Sequence, residues 1–172
     1  MSDQDSPASN PYQASSTTLS AADIPEELAS RSNRLAAAIV DGIIMMLVLL
    51  VPLTVTLGGF AAYSLKVQSS FLFHVAVTVL GYVVFLLING YFLAQSGQSI
   101  GKKLVKIKIV RTDGSPATLQ QIAIRRLGPV QFAQLVPVLG MIFGLVDVLC
   151  IFRESRLCIH DQIADTKVIN AR

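Results

Sequence analysis

Residues 35–57 read LAAAIVDGIIMMLVLLVPLTVTL, a nearly unbroken apolar run that decides which kind of fold this chain can adopt. The run is long enough to cross a bilayer, because about 20 apolar residues in a helix span the hydrocarbon core. Its one charged residue is Asp41, and Pro52 near its far end predicts a kink. We therefore predict a first membrane span over residues 35–57.

Two further apolar regions follow along the chain. Residues 71–94 carry no charge and predict a second span, and residues 129–152 predict a third, with Pro137 near its middle and Asp147 near its end. Only 15% of all residues are charged, compared with about 25% in soluble domains. The expected fold is an all-α membrane protein, a helical bundle of three predicted spans embedded in the lipid bilayer.

The N-terminal segment differs from the rest in composition. Residues 1–30 are rich in Ser, Ala, Pro and Asn and contain no apolar stretch typical of a signal peptide. Such a segment cannot bury a core, so we predict a disordered polar tail over residues 1–30. The membrane domain is expected to cover residues 31–170, and insertion must be directed by its first span.

The loop between the second and third apolar regions, residues 95–127, is strongly basic. It holds seven of the fourteen Lys and Arg residues, and an excess of these residues marks the cytoplasmic side of a membrane. We therefore predict a protein of the cell membrane whose basic loop and N-terminus both lie in the cytoplasm. Apolar and basic residues alternate around Ile107, which predicts a half-buried strand, and residues 167–170 alternate in the same way. These two stretches predict a small cytoplasmic β element.

The sequence leaves two possibilities for the side of the membrane on which the C-terminus lies. Three plain spans would place the basic tail outside, against the charge rule. Alternatively, Pro137 divides the third region into a broken or re-entrant pair of helices, which returns the tail to the cytoplasm. We favour the second reading, since it also lets the two predicted strands pair.

Two carboxylates inside the apolar regions are the strongest candidates for function. Inserting a charged residue into a membrane span costs at least about 2.5–3.5 kcal/mol, so charged residues in spans, here Asp41 and Asp147, are usually functional. Facing each other, they could bind a proton or a small cation. The alternative is that each caps a helix or pairs with an arginine, for which Arg125 and Arg126 are suitable. Arg34 shares a helical face with Asp41 but lies too far along it for an ideal pair.

Other polar residues carry weaker signals. Asn89 is either a buried packing contact or a ligand group, and His74 suits the interface. The cysteines at positions 150 and 158 match no metal spacing and are interpreted as structural. A group of lysines in the loop is either a topology signal or a binding site for anionic lipid: Lys102, Lys103, Lys106 and Lys108.

Signatures of soluble enzymes are not found in the sequence. It contains no GxSxG, HExxH or phosphate-binding loop. We therefore expect no enzyme activity, no catalytic residue, no cofactor, no metal and no nucleic-acid partner.

The ordered set of these residues resembles the RDD family of bacterial membrane proteins, named for one arginine and two aspartates. Residues 34–41, RLAAAIVD, match the family's arginine and first aspartate, and Asp147 matches the second. The basic stretch 99–111 resembles the family's basic loop, and Arg125 resembles the arginine that follows that loop. Residues 160–166, HDQIADT, resemble the closing segment and contain Asp161, although glycine is more usual at Asp165.

This resemblance implies a membrane protein for which transport has been suggested without a general substrate. It singles out Arg34, Asp41 and Asp147, with Arg125, Asn89 and Asp161 in support. One hypothesis is a small transporter for a proton, cation or small solute, in which Arg34 positions Asp41. Three spans are few for a complete transport pathway, so a homo-oligomer or a membrane partner is expected. The alternative is a non-transporting scaffold or accessory subunit whose Arg and Asp residues are structural.

Overall fold

The computed structural model describes residues 27–152 and 157–171. Residues 1–26, most of the predicted polar tail, lie outside this part of the chain. In the described residues, two helical segments are long and apolar enough to cross a membrane, Arg31–Thr56 and Phe71–Ser96, each with a mean hydropathy of 2.5. The fold is mostly helical, with one two-stranded sheet.

The first long segment has a break at the place where the sequence predicts a kink. Helix α1, Arg31–Met45, begins at Ser30, whose side chain accepts a hydrogen bond from the Asn33 amide. It continues through a π-helical turn, Met46–Leu50, into α2, Val51–Thr56. The wide turn lies directly before Pro52, which has no N–H to donate to a regular helix.

The connection between the two long segments is itself helical. Helix α3, Phe60–Ser69, occupies most of residues 58–70, which lie between the first two predicted spans. Gly58 and Gly59 turn the chain before it, with φ of 88° and 110°, a region that favours glycine. Helix α4, Phe71–Ser96, then begins at the Ser70 cap and ends at Gly97 in the left-handed conformation.

The third apolar region is broken rather than continuous. After a π-helical segment, Gln121–Leu127, the chain forms α6, Gly128–Gln134, and then α7, Pro137–Leu149, followed by a short 3-10 turn, Cys150–Phe152. The break falls directly before Pro137, as the sequence indicates. Helices α6 and α7 approach closely, because a Cβ at Gly140 would lie 2.7 Å from the Cα of Gln134.

A polar layer lies at the end of the helices, formed by four short elements. They are α5, Ile100–Leu104; β1, Ile107–Arg111; α8, Ile159–Ile163; and β2, Thr166–Asn170. The two strands pair antiparallel, with Ile107 opposite Asn170 and Arg111 opposite Thr166. The predicted pairing of the basic loop with the tail is therefore confirmed, and we call these four elements the juxtamembrane layer.

The buried core lies where this layer meets the long helices. It contains Ala37 of α1, Leu93 of α4, Ile107 and Ile109 of β1, and Val168 of β2. Residue Leu28, just before α1, forms a bridge to β2. The start of α1, the end of α4 and the tail thus meet in one place. The broken third region leaves from this layer and returns to it, since Gln121 before α6 donates to the Ala164 carbonyl and Asp147 near the end of α7 binds His160.

Candidate functional site

The carboxylate of Asp161 is the centre of the most buried polar cluster in the described residues. Asp161 is 0% exposed, and its Oδ2 lies 3.1 Å from the Nη1 of Arg34. Its Oδ1 lies 2.7 Å from the Nη2 of Arg126. The Cys158 amide also donates to Oδ2 at 3.2 Å. Two guanidinium groups from distant parts of the chain therefore meet one carboxylate in a dry environment.

Both arginines make further hydrogen bonds that fix their orientation. The Nη2 of Arg34 donates to the Val168 carbonyl at 3.0 Å, and the Nη1 of Arg126 donates to the Thr166 hydroxyl at 3.1 Å. Burying a guanidinium is costly unless it is paired and hydrogen-bonded, and these contacts meet that condition. The cluster connects α1, the π-helical segment before α6, α8 and β2.

Asp41, the carboxylate inside the first apolar segment, binds the start of α5. It accepts hydrogen bonds from the Ser99 hydroxyl at 2.5 Å and from the Gly101 amide at 2.8 Å. Amide groups in the first turn of a helix have no partner within that helix, and a carboxylate is a favourable acceptor for them. Asp41 therefore joins α1 to the juxtamembrane layer.

Asn89 makes the equivalent connection from the second long segment. It is 2% exposed, and its side-chain oxygen accepts from the Ile100 amide at 2.8 Å. Asn89 and Asp41 thus occupy adjacent amides at the start of α5. This geometry fits the packing interpretation of Asn89.

Close packing between α1 and α5 accompanies these hydrogen bonds. A Cβ added at Gly101 would lie 2.3 Å from the Ala37 carbonyl oxygen and 2.9 Å from the Asp41 carboxylate. Only glycine at position 101 allows the two backbones to approach this far.

Lys102 follows on the same short helix and has an unusual environment. Its ammonium group lies 3.5 Å from the Ser99 hydroxyl, which in turn donates to Asp41. Burial lowers the pKa of Lys102 to about 8, with a further lowering by Arg126 that Asp41 partly offsets. Lys102, Ser99 and Asp41 form a short hydrogen-bonded chain that contains a lysine whose pKa lies well below its usual value.

Asp147, near the end of α7, binds the histidine of the tail. Its Oδ2 lies 2.6 Å from the Nδ1 of His160, and its Oδ1 accepts from the His160 amide at 3.2 Å. The other ring nitrogen of His160 lies 3.2 Å from the Nη2 of Arg126. Asp147 is therefore linked through His160 to the cluster around Asp161.

The structure sorts the candidate residues into three bonded groups. Arg34 joins Asp161, Asp41 joins Ser99 and Gly101, and Asp147 joins His160. Arg34 was expected to position Asp41, whereas the ion pair that the structure shows for it is with Asp161 in the tail. No periodicity in the sequence reveals a pair formed by residues so distant from each other in the chain.

Arg125 and Arg126 have different roles, which the sequence could not distinguish. Arg126 is 4% exposed and belongs to the buried cluster. Arg125 is exposed and lines an open cavity of about 250 Å³ together with Arg111, Thr118, Gln120, Gln121 and Asp165. Because the π-helical segment turns neighbouring side chains in different directions, adjacent arginines face opposite environments.

Comparison with known proteins identifies one family. A sequence model of the RDD family matches residues 28–165, which is most of the chain. No curated protein and no solved structure matches the chain. The match covers all three bonded groups of charged residues.

Proposed function

The chain belongs to the RDD family, and we propose that it works as a membrane-embedded scaffold or accessory subunit whose Arg and Asp residues are structural. The family and the two apolar helices indicate a membrane protein. The scaffold role is supported by the groups to which the charged side chains bind. Arg34, Asp41 and Asp147 each bind the juxtamembrane layer.

The bonding of Asp41 argues in the same direction. A carboxylate that binds a transported cation must be able to exchange its partners, whereas Asp41 is held by a backbone amide and a hydroxyl on a short, tightly packed helix. Removing either bond leaves polar groups without a partner in a partly buried site, which costs about 1–3 kcal/mol each. The arrangement therefore favours a stabilising role.

The test is to compare folding and flux for the same substitution. Asp41→Asn preserves the shape of the side chain and removes its charge. We expect reduced thermal stability and a lower level of folded protein in the membrane. Wild-type protein in sealed vesicles, given a proton gradient and a membrane potential, should show no protein-dependent flux of H⁺, Na⁺ or K⁺. Wild-type flux that disappears in a stably folded Asp41→Asn variant would overturn the scaffold role.

The second candidate is a small transporter for a proton, cation or small solute, and Lys102 is the observation that favours it. A lysine with a pKa of about 8, connected through Ser99 to Asp41, can exchange a proton near neutral pH. In this candidate Lys102→Met and Asp41→Asn both abolish flux while the protein remains folded. Two candidate spans are few for a pathway, so such a transporter requires a homo-oligomer or a membrane partner.

We place the juxtamembrane layer on the cytoplasmic face of the cell membrane. Half of the basic residues lie in the loop that forms it, and excess Lys and Arg mark that side. A compartment-sensitive reporter fused after Arg172 tests this orientation. A cytoplasmic signal supports it, and a signal from the opposite side excludes it, because β2 pairs with β1 in the same layer.

Anionic lipid headgroups are the proposed partners of the exposed cations of this layer. Lys103 and Lys106 are exposed, and the Lys103 ammonium lies 4.5 Å from the centre of the Phe92 ring, near the end of α4. We omit Lys102 from this proposal, because it is partly buried and directed to Ser99, and we omit Lys108, because it is partly buried. Retention of phosphatidylglycerol over phosphatidylcholine should fall in a Lys103→Gln, Lys106→Gln variant and not in Lys66→Gln, whose lysine lies on α3.

A further inference from the structure

We propose that Asp147, Cys158 and His160 form a binding site for a divalent transition-metal ion, for which Zn²⁺ is the best fit. The proposal goes beyond the scaffold role and is independent of it. It assigns a role to a cysteine that the sequence indicated to be structural, and it replaces the direct hydrogen bond between His160 and Asp147 by a bridge through the ion.

The geometry of the three side chains is the first support. One carboxylate oxygen of Asp147, the Sγ of Cys158 and one ring nitrogen of His160 all lie within 4.8 Å of one another. Bonds of about 2.0–2.3 Å to a tetrahedral Zn²⁺ place two of its ligands about 3–4 Å apart. The three groups therefore need to move by only about 1 Å to bind one ion.

One existing contact must change when the ion binds. The Nδ1 of His160 and the Oδ2 of Asp147 are 2.6 Å apart, which is a hydrogen bond and is shorter than the separation of two ligands on one ion. The ion takes the place of this hydrogen bond: a neutral His160 binds it through Nδ1 and carries its one ring proton on Nε2, which lies 3.7 Å from Oδ1 of Asp161. Asp147 lies in α7 and His160 in α8, so this contact joins two separate helices, and opening it breaks no backbone hydrogen bond within either helix.

The donor set indicates which metals fit. A thiolate, an imidazole and a carboxylate suit Zn²⁺ and related first-row ions, whereas Mg²⁺ and Ca²⁺ prefer all-oxygen sites. Cys158 is 5% exposed and Asp147 is 8% exposed, so the site is largely shielded from water. Three protein ligands leave a fourth position for a water molecule or a substrate group.

The charge of the surroundings is compatible with a divalent ion only if Cys158 binds as a thiolate. The Nη2 of Arg126 lies 3.2 Å from His160, and it would repel a site with a net positive charge. One thiolate and one carboxylate neutralise the two charges of the ion, and binding releases the thiol proton to solvent. The metal site is therefore neutral beside the arginine.

The test uses the full-length protein in detergent, stripped with a chelator and then loaded with Zn²⁺ or Co²⁺. We expect about one ion per chain by elemental analysis, and Co²⁺ should give a near-ultraviolet charge-transfer band that requires a thiolate ligand. Cys158→Ser should abolish this band and weaken Zn²⁺ binding at least tenfold. Cys150→Ser is the matched control, because it removes the chain's other cysteine, and it should leave both unchanged.

A second measurement keeps the proposal testable if Cys158→Ser does not fold. In the wild-type protein, Zn²⁺ should slow alkylation of Cys158 at least tenfold, as mapped by mass spectrometry, and should not slow that of Cys150. The proposal is overturned if the wild-type protein binds no stoichiometric ion, or if Cys158 is alkylated equally fast with and without Zn²⁺. It is also overturned if the Co²⁺ band persists in a folded Cys158→Ser variant.

Discussion

Arg34 and Asp161 form a buried ion pair of 3.1 Å across 127 residues of sequence. The pair joins the first turn of the first apolar segment to a short helix in the tail. The ion pair of Arg34 is thus made with a residue outside the two apolar regions that contain Asp41 and Asp147. Its partner is Asp161 in the tail, a residue to which the family resemblance assigns only a supporting role.

Loss of the Asp161 charge should strongly destabilise the fold. Asp161→Asn leaves Arg34 and Arg126 buried with a neutral partner, and breaking a buried ion pair from one side costs about 3–5 kcal/mol. We expect a large decrease in the thermal unfolding midpoint in detergent. Asp113→Asn is the control: its pair with Arg111 is exposed, and its removal should not change the midpoint. Equal midpoints for the two variants would contradict a structural role for the cluster.

A single methyl group added at position 101 should disrupt the contact between α1 and α5. In Gly101→Ala the new Cβ would lie 2.3 Å from the Ala37 carbonyl oxygen, so the helices must separate, at a cost of about 1–3 kcal/mol or more. Gly42→Ala is the matched control on α1, because nothing lies within 4 Å of its new Cβ. The readout is the free energy of unfolding, and a neutral Gly101→Ala would show that α5 does not pack here.

Asp41 and Ser99 should be energetically coupled. Ser99→Ala removes the hydroxyl that donates to Asp41, and a hydrogen bond to a charged group contributes about 1.5–3 kcal/mol. In a double-mutant cycle with Asp41→Asn, the two effects should be less than additive by about 1 kcal/mol or more. Ser96→Ala serves as control, since its hydroxyl donates only to the Phe92 carbonyl of its own helix. Simple additivity of Asp41→Asn and Ser99→Ala would exclude a direct bond.

The pKa of Lys102 predicts a specific dependence of stability on pH. Its pKa is about 8 in the folded protein and 10.5 without the fold, so between these values the unfolded chain binds more protons. Lys102 therefore lowers the free energy of unfolding by its full amount below about pH 8. This destabilisation decreases as the pH rises towards 10.5. Lys102→Met should be more stable than wild type at pH 7, by about 1–3 kcal/mol, and this advantage should shrink by pH 10.

The control for this pH effect is the neighbouring lysine. Lys103 is exposed and lies on the same helix, so Lys103→Met reports what the loss of a lysine side chain does where the amine is not buried. Denaturant unfolding of wild type and both variants at the two pH values measures the difference. An advantage of Lys102→Met that is constant with pH would show that its amine does not titrate in this window.

Local signals in the sequence predicted much of the fold. The apolar runs predicted the two long helical segments to within a few residues, because the length needed to cross a bilayer is fixed. Alternation of apolar and basic residues predicted β1 and its pairing with the tail. Pro137 predicted the break in the third region, since a proline cannot donate the hydrogen bond that continues a helix.

Other features depend on contacts that no local pattern contains. The helix over Phe60–Ser69 was missed because its sequence is apolar on several faces and is bounded by turn residues. The pairing of Arg34 with Asp161 was missed because the two are brought together only by β2 and α8. Gly101 gave no signal, since its role is to let two backbones approach rather than to carry a chemical group.

Because Asp161 lies late in the chain, it is synthesised well after Arg34, and this order determines when the ion pair can form. Synthesis at about 5–20 residues per second separates Arg34 from its carboxylate by on the order of 10 s, so the first segment meets the membrane long before its counter-ion exists. During that interval the guanidinium group must stay hydrated at the surface. The ion pair closes only after residue 161 has left the ribosome, which makes the final docking of the tail the step that commits a newly inserted chain to its mature shape.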